Sequence, residues 1–270
     1  MRQNQIKRNL HASKPSVGCW LTLASPSVAE ALSHCGFEWL LIDAEHGPND
    51  TGDVAAQLRA IDAARAHGAE VDAAVRVRSN EVALVKRAMD CGAQTIFLPT
   101  IESVEEARIA IASTRFPDHG NGGLRGVAGL VRAGRYGLDP EYVSNANLEA
   151  CAVLQIETAM GLNNVEGIAA LPGADCLFIG PADLSASLGY LGQSKHPVVL
   201  EAIEHILNVC KIAGKAAGIF ATSGDEAAQY RARGFSLISL HSDVAWLTRG
   251  AKNALSDFAL GRDKSDPIMR

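Results

Sequence analysis

Short apolar runs recur along the chain, and each is followed by a stretch whose apolar residues are spaced three and four positions apart. The short runs are typical of buried strands, and the wider spacing is typical of amphipathic helices. The predicted strands cover residues 17–23, 38–43, 71–77, 95–99, 151–157, 175–180, 215–220 and 235–240. The predicted helices cover residues 25–35, 51–66, 81–91, 104–114, 162–170, 198–213, 225–234 and 244–260.

This regular alternation of strand and helix predicts the fold. The strands are apolar throughout, which is typical of a parallel sheet covered on both faces. We therefore predict one α/β domain over residues 1–270, a (β/α)8 or TIM barrel rather than an open doubly wound sheet. The stretch 115–147, which contains FPDHGNGGLRGVAG, lacks the alternation and is predicted to be an irregular active-site loop region.

Composition indicates which partners the protein can bind and in which cellular compartment it is expected. The chain has 30 acidic and 25 basic residues and no basic stripe interleaved with aromatic residues, so we expect no nucleic acid partner. Its apolar runs fall far short of the roughly 20 residues that span a bilayer, and the start MRQNQIKRN has no apolar signal region. The six cysteines form no C-x-x-C pair, so reduced and mostly buried thiols are expected. The prediction is a cytoplasmic protein without a membrane partner.

Carboxylates stand where several predicted strands end. Glu157 closes the run in LQIET, Asp183 follows the run in LFIGPADLS, and the run in LLIDAEHGP ends on two acids and a histidine. The carboxyl ends of strands converge in a parallel barrel, so such side chains can share one site for a hard divalent cation. Taken singly, Glu157 is equally a helix cap or half of an ion pair, and Asp183 a plain helix cap.

The combination of IDAEHGP, the arginine that ends VDAAVR, LQIET and FIGPADLS resembles the HpcH/HpaI family of metal-dependent class II pyruvate aldolases, from Gly18 to about Leu240. The resemblance implies a barrel of the phosphoenolpyruvate/pyruvate type and a divalent cation, Mg²⁺ or Mn²⁺, with Co²⁺ or Zn²⁺ as substitutes. It also implies reversible cleavage of a 4-hydroxy-2-oxo acid to pyruvate, or a close 2-oxo acid, and an aldehyde, in catabolism of an aromatic compound or a sugar acid.

The half of such a substrate that becomes pyruvate, the aldol donor, suits these residues. A cation that takes a carboxylate oxygen and the 2-oxo oxygen stabilises an enolate, and Glu157 and Asp183 are its expected ligands. The backbone N–H groups of Ala182 and Asp183, at a helix start, would bind the substrate carboxylate. Arg76 would donate to the enolate oxygen. Arg78 lies on the same strand face, so periodicity does not separate the two arginines; the resemblance selects Arg76.

The segment after the second strand supplies the expected base. The imidazole of His46 can act as a general base that removes the C4 hydroxyl proton, and the resemblance pairs it with Asp43. Glu45 either holds a water beside the cation or supports its ligands. Gln155 lies two residues before Glu157, on the same strand face, and is expected to contact substrate or water.

Residues outside these motifs are expected to take part in binding the aldehyde half of the substrate and in oligomerisation. Arg125 either meets the aldehyde or only anchors its loop, and Phe220 stands in the expected aldehyde pocket, where relatives commonly carry a smaller residue. Asp90 matches a family residue that reaches a neighbouring subunit's site. The apolar stripe along the final helix, residues 242–262, predicts oligomerisation, and the resemblance implies helix exchange and a homohexamer.

Three other functions can be compared with the sequence. A Schiff-base aldolase needs a desolvated lysine near the carboxyl end of a strand, and no lysine has that position. An acyl-CoA ester lyase of a related barrel family would need a basic groove for the adenine nucleotide, which is not evident. A non-catalytic barrel serving as an assembly subunit would not need the strand-end carboxylates.

Overall fold

The computed structural model describes residues 2–120 and 122–265, with side chains as far as residue 259. Eight parallel strands close into a barrel in the order β1 to β8, which confirms the predicted (β/α)8 fold. The strands are Ser16–Leu21, Trp39–Asp43, Asp72–Arg76, Thr95–Leu98, Cys151–Ile156, Cys176–Ile179, Ala216–Ala221 and Leu237–Ser242. Each lies within a few residues of its predicted position.

The helices include several that periodicity did not predict. In chain order, α1 to α12 are Gln5–His11, Pro26–Ser33, Thr51–Ala66, Val82–Asp90, Val104–Ser113, Tyr142–Glu149, Ala159–Asn163, Val165–Ala169, Pro181–Ser187, Pro197–Ala213, Gly224–Arg233 and Asp243–Ser265. Helices α7 and α8 replace one predicted helix, and α9 is additional. The segment 115–147 is not irregular throughout, since it contains a 3-10 helix, Arg132–Gly137, and the start of α6.

Local sequence explains where the helices begin and end. Ser103 caps α5, because its side chain accepts from the backbone of Glu106 while Glu106 bonds back to the cap. Proline occupies the first turn of α2, α9 and α10, where its missing N–H group costs nothing. Gly214 ends α10 in the left-handed conformation that glycine adopts most easily.

Aromatic side chains fill the inside of the barrel. Trp39 and Phe97 lie 6.0 Å apart between ring centres, and Phe97 and Phe178 lie 5.1 Å apart. Gly18 makes room for this packing, because a Cβ atom there would lie 2.0 Å from the Trp39 ring. The outer layer of the core packs aliphatic residues of the strands against the surrounding helices.

Helix α1 closes the amino end of the barrel. Ile6 and Leu10 are buried against the aromatic residues inside the barrel. Asn4 caps the helix and its Nδ2 atom donates to Thr95 Oγ1 at 2.9 Å, at the start of β4. With this end closed, the carboxyl ends of the strands are left as the open mouth.

Two expectations about the environment can be compared with the structure. Within residues 2–120 and 122–265, no helix is both long and apolar enough to cross a bilayer. All six cysteines are free thiols, and four of them are buried, as predicted.

Candidate active site at the carboxyl ends of the strands

Glu157 directly follows β5 and is nearly buried, with 5% of its surface exposed. Its Oε1 atom accepts from the backbone N–H of Thr100 at 2.8 Å and from the Thr100 hydroxyl at 3.1 Å. Its Oε2 atom accepts from Gln155 Nε2 at 3.0 Å. Burial raises the pKa of Glu157, and the neighbouring Asp183 and Glu45 carboxylates raise it further. An acid in such surroundings is stabilised by a cation.

Asp183 faces the same small space. It lies in the first turn of α9, which begins with Pro181 after the N-cap residue Gly180. A Cβ atom at Gly180 would lie 2.8 Å from Glu157 Oε2 and 3.5 Å from Asp183 Oδ2. Glycine at this position therefore leaves a cradle open between two carboxylate oxygens.

This cradle fits the cation that the resemblance implies. Carboxylate oxygens are the ligands that hard divalent ions prefer, and two of them leave positions for water and substrate. Among the residues that the structure describes, no group of three or more histidine, cysteine or acidic side chains is arranged to hold a metal ion. The oxygens that face this cradle belong to Glu157 and Asp183.

Arg76, the last residue of β3, is held from two sides. Its Nε and Nη2 atoms donate to Asp43 at 2.8 and 2.7 Å, and its Nη1 atom lies 2.8 Å from Glu45 Oε2. The guanidinium carbon stacks 4.1 Å from the centre of the Trp20 ring. Arg78 instead is exposed and pairs with an acid on the surface. The structure thus distinguishes two arginines that strand alternation could not.

Asp43 has a different partner from the one predicted. Its carboxylate accepts from Arg76 and from the backbone N–H groups of Glu45 and His46, at 3.1 and 3.3 Å. In the described part of the chain, no hydrogen bond joins this carboxylate to the His46 ring. Asp43 is a positioning residue in this arrangement, and the His46 side chain is exposed at the barrel mouth.

Gln155 lies on the inner side of the barrel, two residues before Glu157. Its amide nitrogen is used by Glu157, whereas its Oε1 atom is buried and has no hydrogen-bond partner among the described residues. Buried acceptors are seldom left unpaired. The free oxygen therefore points to a bound donor, such as water or substrate.

Aromatic rings line one side of the mouth. Phe220, in β7, packs edge-on against Trp20 at 5.4 Å and against His241 at 6.3 Å between ring centres. His241 also meets Trp246 of α12 at 5.7 Å. Neither His241 nor Trp20 was assigned a role from the sequence. The signal for Trp20 was a large aromatic residue near the carboxyl end of a predicted strand.

Arg125 and Asp90 lie at the other end of the barrel. Arg125 Nη2 donates to Asp90 Oδ1 at 2.8 Å and to the Tyr142 hydroxyl at 2.6 Å. Arg125 lines a pocket with Gln94 and Ala150, which directly precede β4 and β5. Within its own barrel Arg125 anchors the loop and does not reach the aldehyde site. Contact with a neighbouring subunit's site stays a prediction for Asp90.

Enzymes with a (β/α)8 barrel have their active sites at the carboxyl ends of the strands. The residues at this mouth have the position of such an active site. Residues 16–249 match the family described as HpcH/HpaI aldolase/citrate lyase. The chain belongs to this family. It is an aldolase, a carbon–carbon lyase. Aldolases of the family generally depend on a divalent metal ion.

Individual relatives are similar over nearly the whole chain. A hydroxypyruvate/pyruvate aldolase from Paraburkholderia phytofirmans is 51% identical over 94% of this chain and 97% of its own. A 5-keto-4-deoxy-D-glucarate aldolase from Shigella boydii serotype 18 is 39% identical over 94% of this chain and 95% of its own. The crystal structure of a family member from Burkholderia cenocepacia J2315 has a TM-score of 0.92 at 48% identity, covering 95% of this chain and 100% of that one.

Proposed function

We propose that the protein is a divalent-metal-dependent aldolase that reversibly cleaves a 4-hydroxy-2-oxo acid to pyruvate, or a close 2-oxo acid, and an aldehyde. The cradle above Gly180 carries this proposal, because it presents oxygens of Glu157 and Asp183 to one space. The names of the relatives support it, since these are aldolases for pyruvate, hydroxypyruvate and a sugar-acid derivative.

Glu157 and Asp183 would hold the cation, for which Mg²⁺ or Mn²⁺ is the expected choice. When bound, it supplies Lewis-acid stabilisation of the negative charge that develops as the carbon–carbon bond breaks. Thr100 and Gln155 keep the Glu157 carboxylate in place through three hydrogen bonds. The first-turn N–H groups of Ala182 and Asp183 have no acceptor within α9 and are suited to the substrate carboxylate.

Arg76 stabilises the enolate and His46 transfers the proton. Asp43 and Glu45 hold the guanidinium of Arg76 in one orientation, so that it can donate to the enolate oxygen without reorganising. His46, exposed at the mouth, takes the C4 hydroxyl proton in cleavage and returns it in the reverse reaction. Glu45 orients Arg76 and lies close enough to Glu157 to affect its pKa.

Release of pyruvate from a 4-hydroxy-2-oxo acid tests the proposal. Purified protein with Mn²⁺ or Mg²⁺ is expected to release pyruvate, EDTA is expected to stop the reaction, and added cation is expected to restore it. Borohydride added with pyruvate should leave the protein mass unchanged, because no Schiff base forms. Full activity in metal-free protein, or a covalent adduct, would contradict the assigned class.

The proposed setting is a homohexamer in the cytoplasm. Helix α12 starts against its own barrel, and its side chains from residue 250 to residue 259 are exposed, which supports docking on another subunit. Exchange of this helix between subunits is part of the proposal. The side chains of residues 260–262, at the end of the predicted oligomerisation helix, lie outside those described. Six free thiols support a reducing compartment.

A further inference from the structure

His241 has an unusual backbone conformation at the mouth of the barrel. It is the residue before the last in β8, and its φ angle is +61°. This left-handed region is uncommon for residues other than glycine. Such conformations persist where the surrounding structure demands them, and they cluster at active sites and ligand clamps.

Packing on both sides holds the imidazole in place. The ring stands edge-on to Phe220 at an interplanar angle of 79° and to Trp246 at 68°. Phe220 packs on Trp20, and Trp20 stacks under Arg76. A continuous series of rings therefore runs from the proposed enolate-binding arginine to His241. These contacts place His241 on the same side of the mouth as Phe220 and Trp20.

The corner that follows His241 is also well anchored. The carboxylate of Asp243, the first residue of α12, is buried and accepts from the backbone N–H groups of Thr22 and Leu23 and from the Thr22 hydroxyl. These bonds tie the start of α12 to the end of β1. The chain on the carboxyl side of His241 is thus held in place.

The imidazole nitrogens are the polar atoms of this side chain. Neither ring nitrogen of His241 has a hydrogen-bond partner within residues 2–120 and 122–265, and the side chain is half-buried. Burial and the nearby Arg249 guanidinium lower the pKa of His241. A neutral imidazole offers one donor and one acceptor on the same ring, which matches a hydroxyl group.

We propose that His241 is a specificity-determining residue that hydrogen-bonds a hydroxyl group on the aldehyde half of the substrate. The inference rests on the proposed aldolase function and names its acceptor class as hydroxyaldehydes. In this proposal, Phe220 and Trp246 line the carbon chain of the aldehyde. The imidazole between them selects aldehydes that carry a hydroxyl group. Sites that hydrogen-bond a substrate hydroxyl reject the analogue that lacks it, because their own polar atoms then stay unpaired.

The test compares two aldehydes of three carbons, D-glyceraldehyde and propanal, in Mn²⁺-dependent addition to pyruvate. His241→Gly removes the ring and is expected to keep the fold, since glycine adopts this φ angle without steric cost. The ratio of kcat/KM for D-glyceraldehyde to that for propanal should fall about tenfold in this variant, which is the effect of one lost hydrogen bond. His241→Asn keeps a donor and an acceptor and should recover part of the ratio. Thr248→Ala, on the exposed side of α12, is the matched control and should keep it.

Other outcomes would overturn the proposal. An unchanged ratio in His241→Gly, or an equal loss for both aldehydes, would show that the ring only supports the fold or the donor half. Succinic semialdehyde is assayed beside these two aldehydes, and a loss confined to it would assign the ring to a carboxylate instead of a hydroxyl. Wild-type protein that neither adds pyruvate to any aldehyde nor decarboxylates oxaloacetate would refute the aldolase function itself, and the role of His241 with it.

Discussion

Arg76 has five N–H donors, and two of them donate to Asp43. Three N–H groups remain for a substrate oxygen, and two of these are on Nη1, which forms an ion pair with Glu45. Because the guanidinium is buried and stacked on Trp20, it cannot turn away from the mouth. Preorganised donors of this kind contribute most where charge develops in the transition state.

The roles of Arg76 and His46 can be separated with two reactions. Retro-aldol cleavage requires removal of a hydroxyl proton, whereas decarboxylation of oxaloacetate gives the same pyruvate enolate without that step. His46→Ala should lower kcat for cleavage by about 10²-fold or more and leave most of the decarboxylation. Arg76→Ala should lower both by roughly 10²- to 10³-fold, because the shared enolate is no longer stabilised.

Both reactions are measured in both variants with saturating Mn²⁺. Arg78→Ala is the matched control, since this neighbouring arginine pairs on the surface, and both activities should be kept. Equal loss of the two activities in His46→Ala would show that His46 serves the enolate or the cation. The proton acceptor would then have to be sought at Glu45.

Glu157 gives a prediction about stability and pH. Burial raises its folded-state pKa above the ordinary 4.5, so the folded protein binds this proton more tightly than the unfolded chain does. In metal-free protein, stability should therefore fall as the pH rises from about 4.5 through the raised pKa. Glu157→Gln should raise the thermal midpoint of metal-free protein at pH 7, and this gain should vanish below about pH 4.

The cation supplies the complementary measurement. Mn²⁺ should raise the thermal midpoint of the wild type at pH 7 and have little effect on Glu157→Gln, because the variant lacks the charged ligand. Glu201→Gln, on the exposed side of α10, is the control and should respond to Mn²⁺ as the wild type does. Equal Mn²⁺ responses in wild type and Glu157→Gln would remove Glu157 from the cation site.

At the scale of elements, α1 illustrates a helix that periodicity misses. Its sequence QIKRNLH is short and mostly polar, and only Ile6, Asn9 and Leu10 are buried. An isolated helix of this length is not stable in water. It forms here because the barrel supplies a surface for its two apolar side chains.

Truncation of those side chains tests the closing role of α1. Ile6→Ala and Leu10→Ala should each lower the free energy of unfolding by about 2–4 kcal/mol, measured by urea denaturation. Arg8→Ala, on the exposed side of the same helix, should change it by less than about 0.5 kcal/mol. The kcat values of all three variants should stay near that of the wild type, since α1 is at the opposite end of the barrel. A small effect of Leu10→Ala would mean that α1 is dispensable for the core.

At the scale of the whole molecule, α12 extends further than one barrel needs. Leu247, Leu255 and Phe258 are 63%, 69% and 60% exposed. Large apolar patches are rare on monomeric proteins and mark interaction surfaces. This supports the prediction that α12 docks on another subunit.

Light scattering at micromolar concentration should give an oligomer, with a hexamer as the expected mass. The double variant Leu255→Asp and Phe258→Asp should form a smaller assembly, because it places two charges in the proposed interface. Asn253→Asp adds one charge at an exposed polar position of the same helix and serves as the control. A monomeric wild type would refute oligomerisation through α12.

More of the fold than of the candidate site could be predicted from the sequence. The strands were predicted to within a few residues because each buries an unbroken apolar run, and their order follows from the alternation with helices. The short helices α1, α7 and α8 were missed or merged because their stability comes from contacts with the barrel and not from their own pattern. The candidate site residues were found as side chains at strand ends, but their partners were not.

The barrel, its open end and the residue types at that end can be predicted from the sequence, because burial periodicity and strand-end positions are local properties of the chain. Which of those residues meet depends on the three-dimensional packing. It paired Asp43 with Arg76 instead of the His46 ring, moved Arg125 to the closed end and brought His241 beside Phe220. These contacts join residues far apart in the chain, and their geometry depends on how strands and loops pack in three dimensions, which no local pattern records.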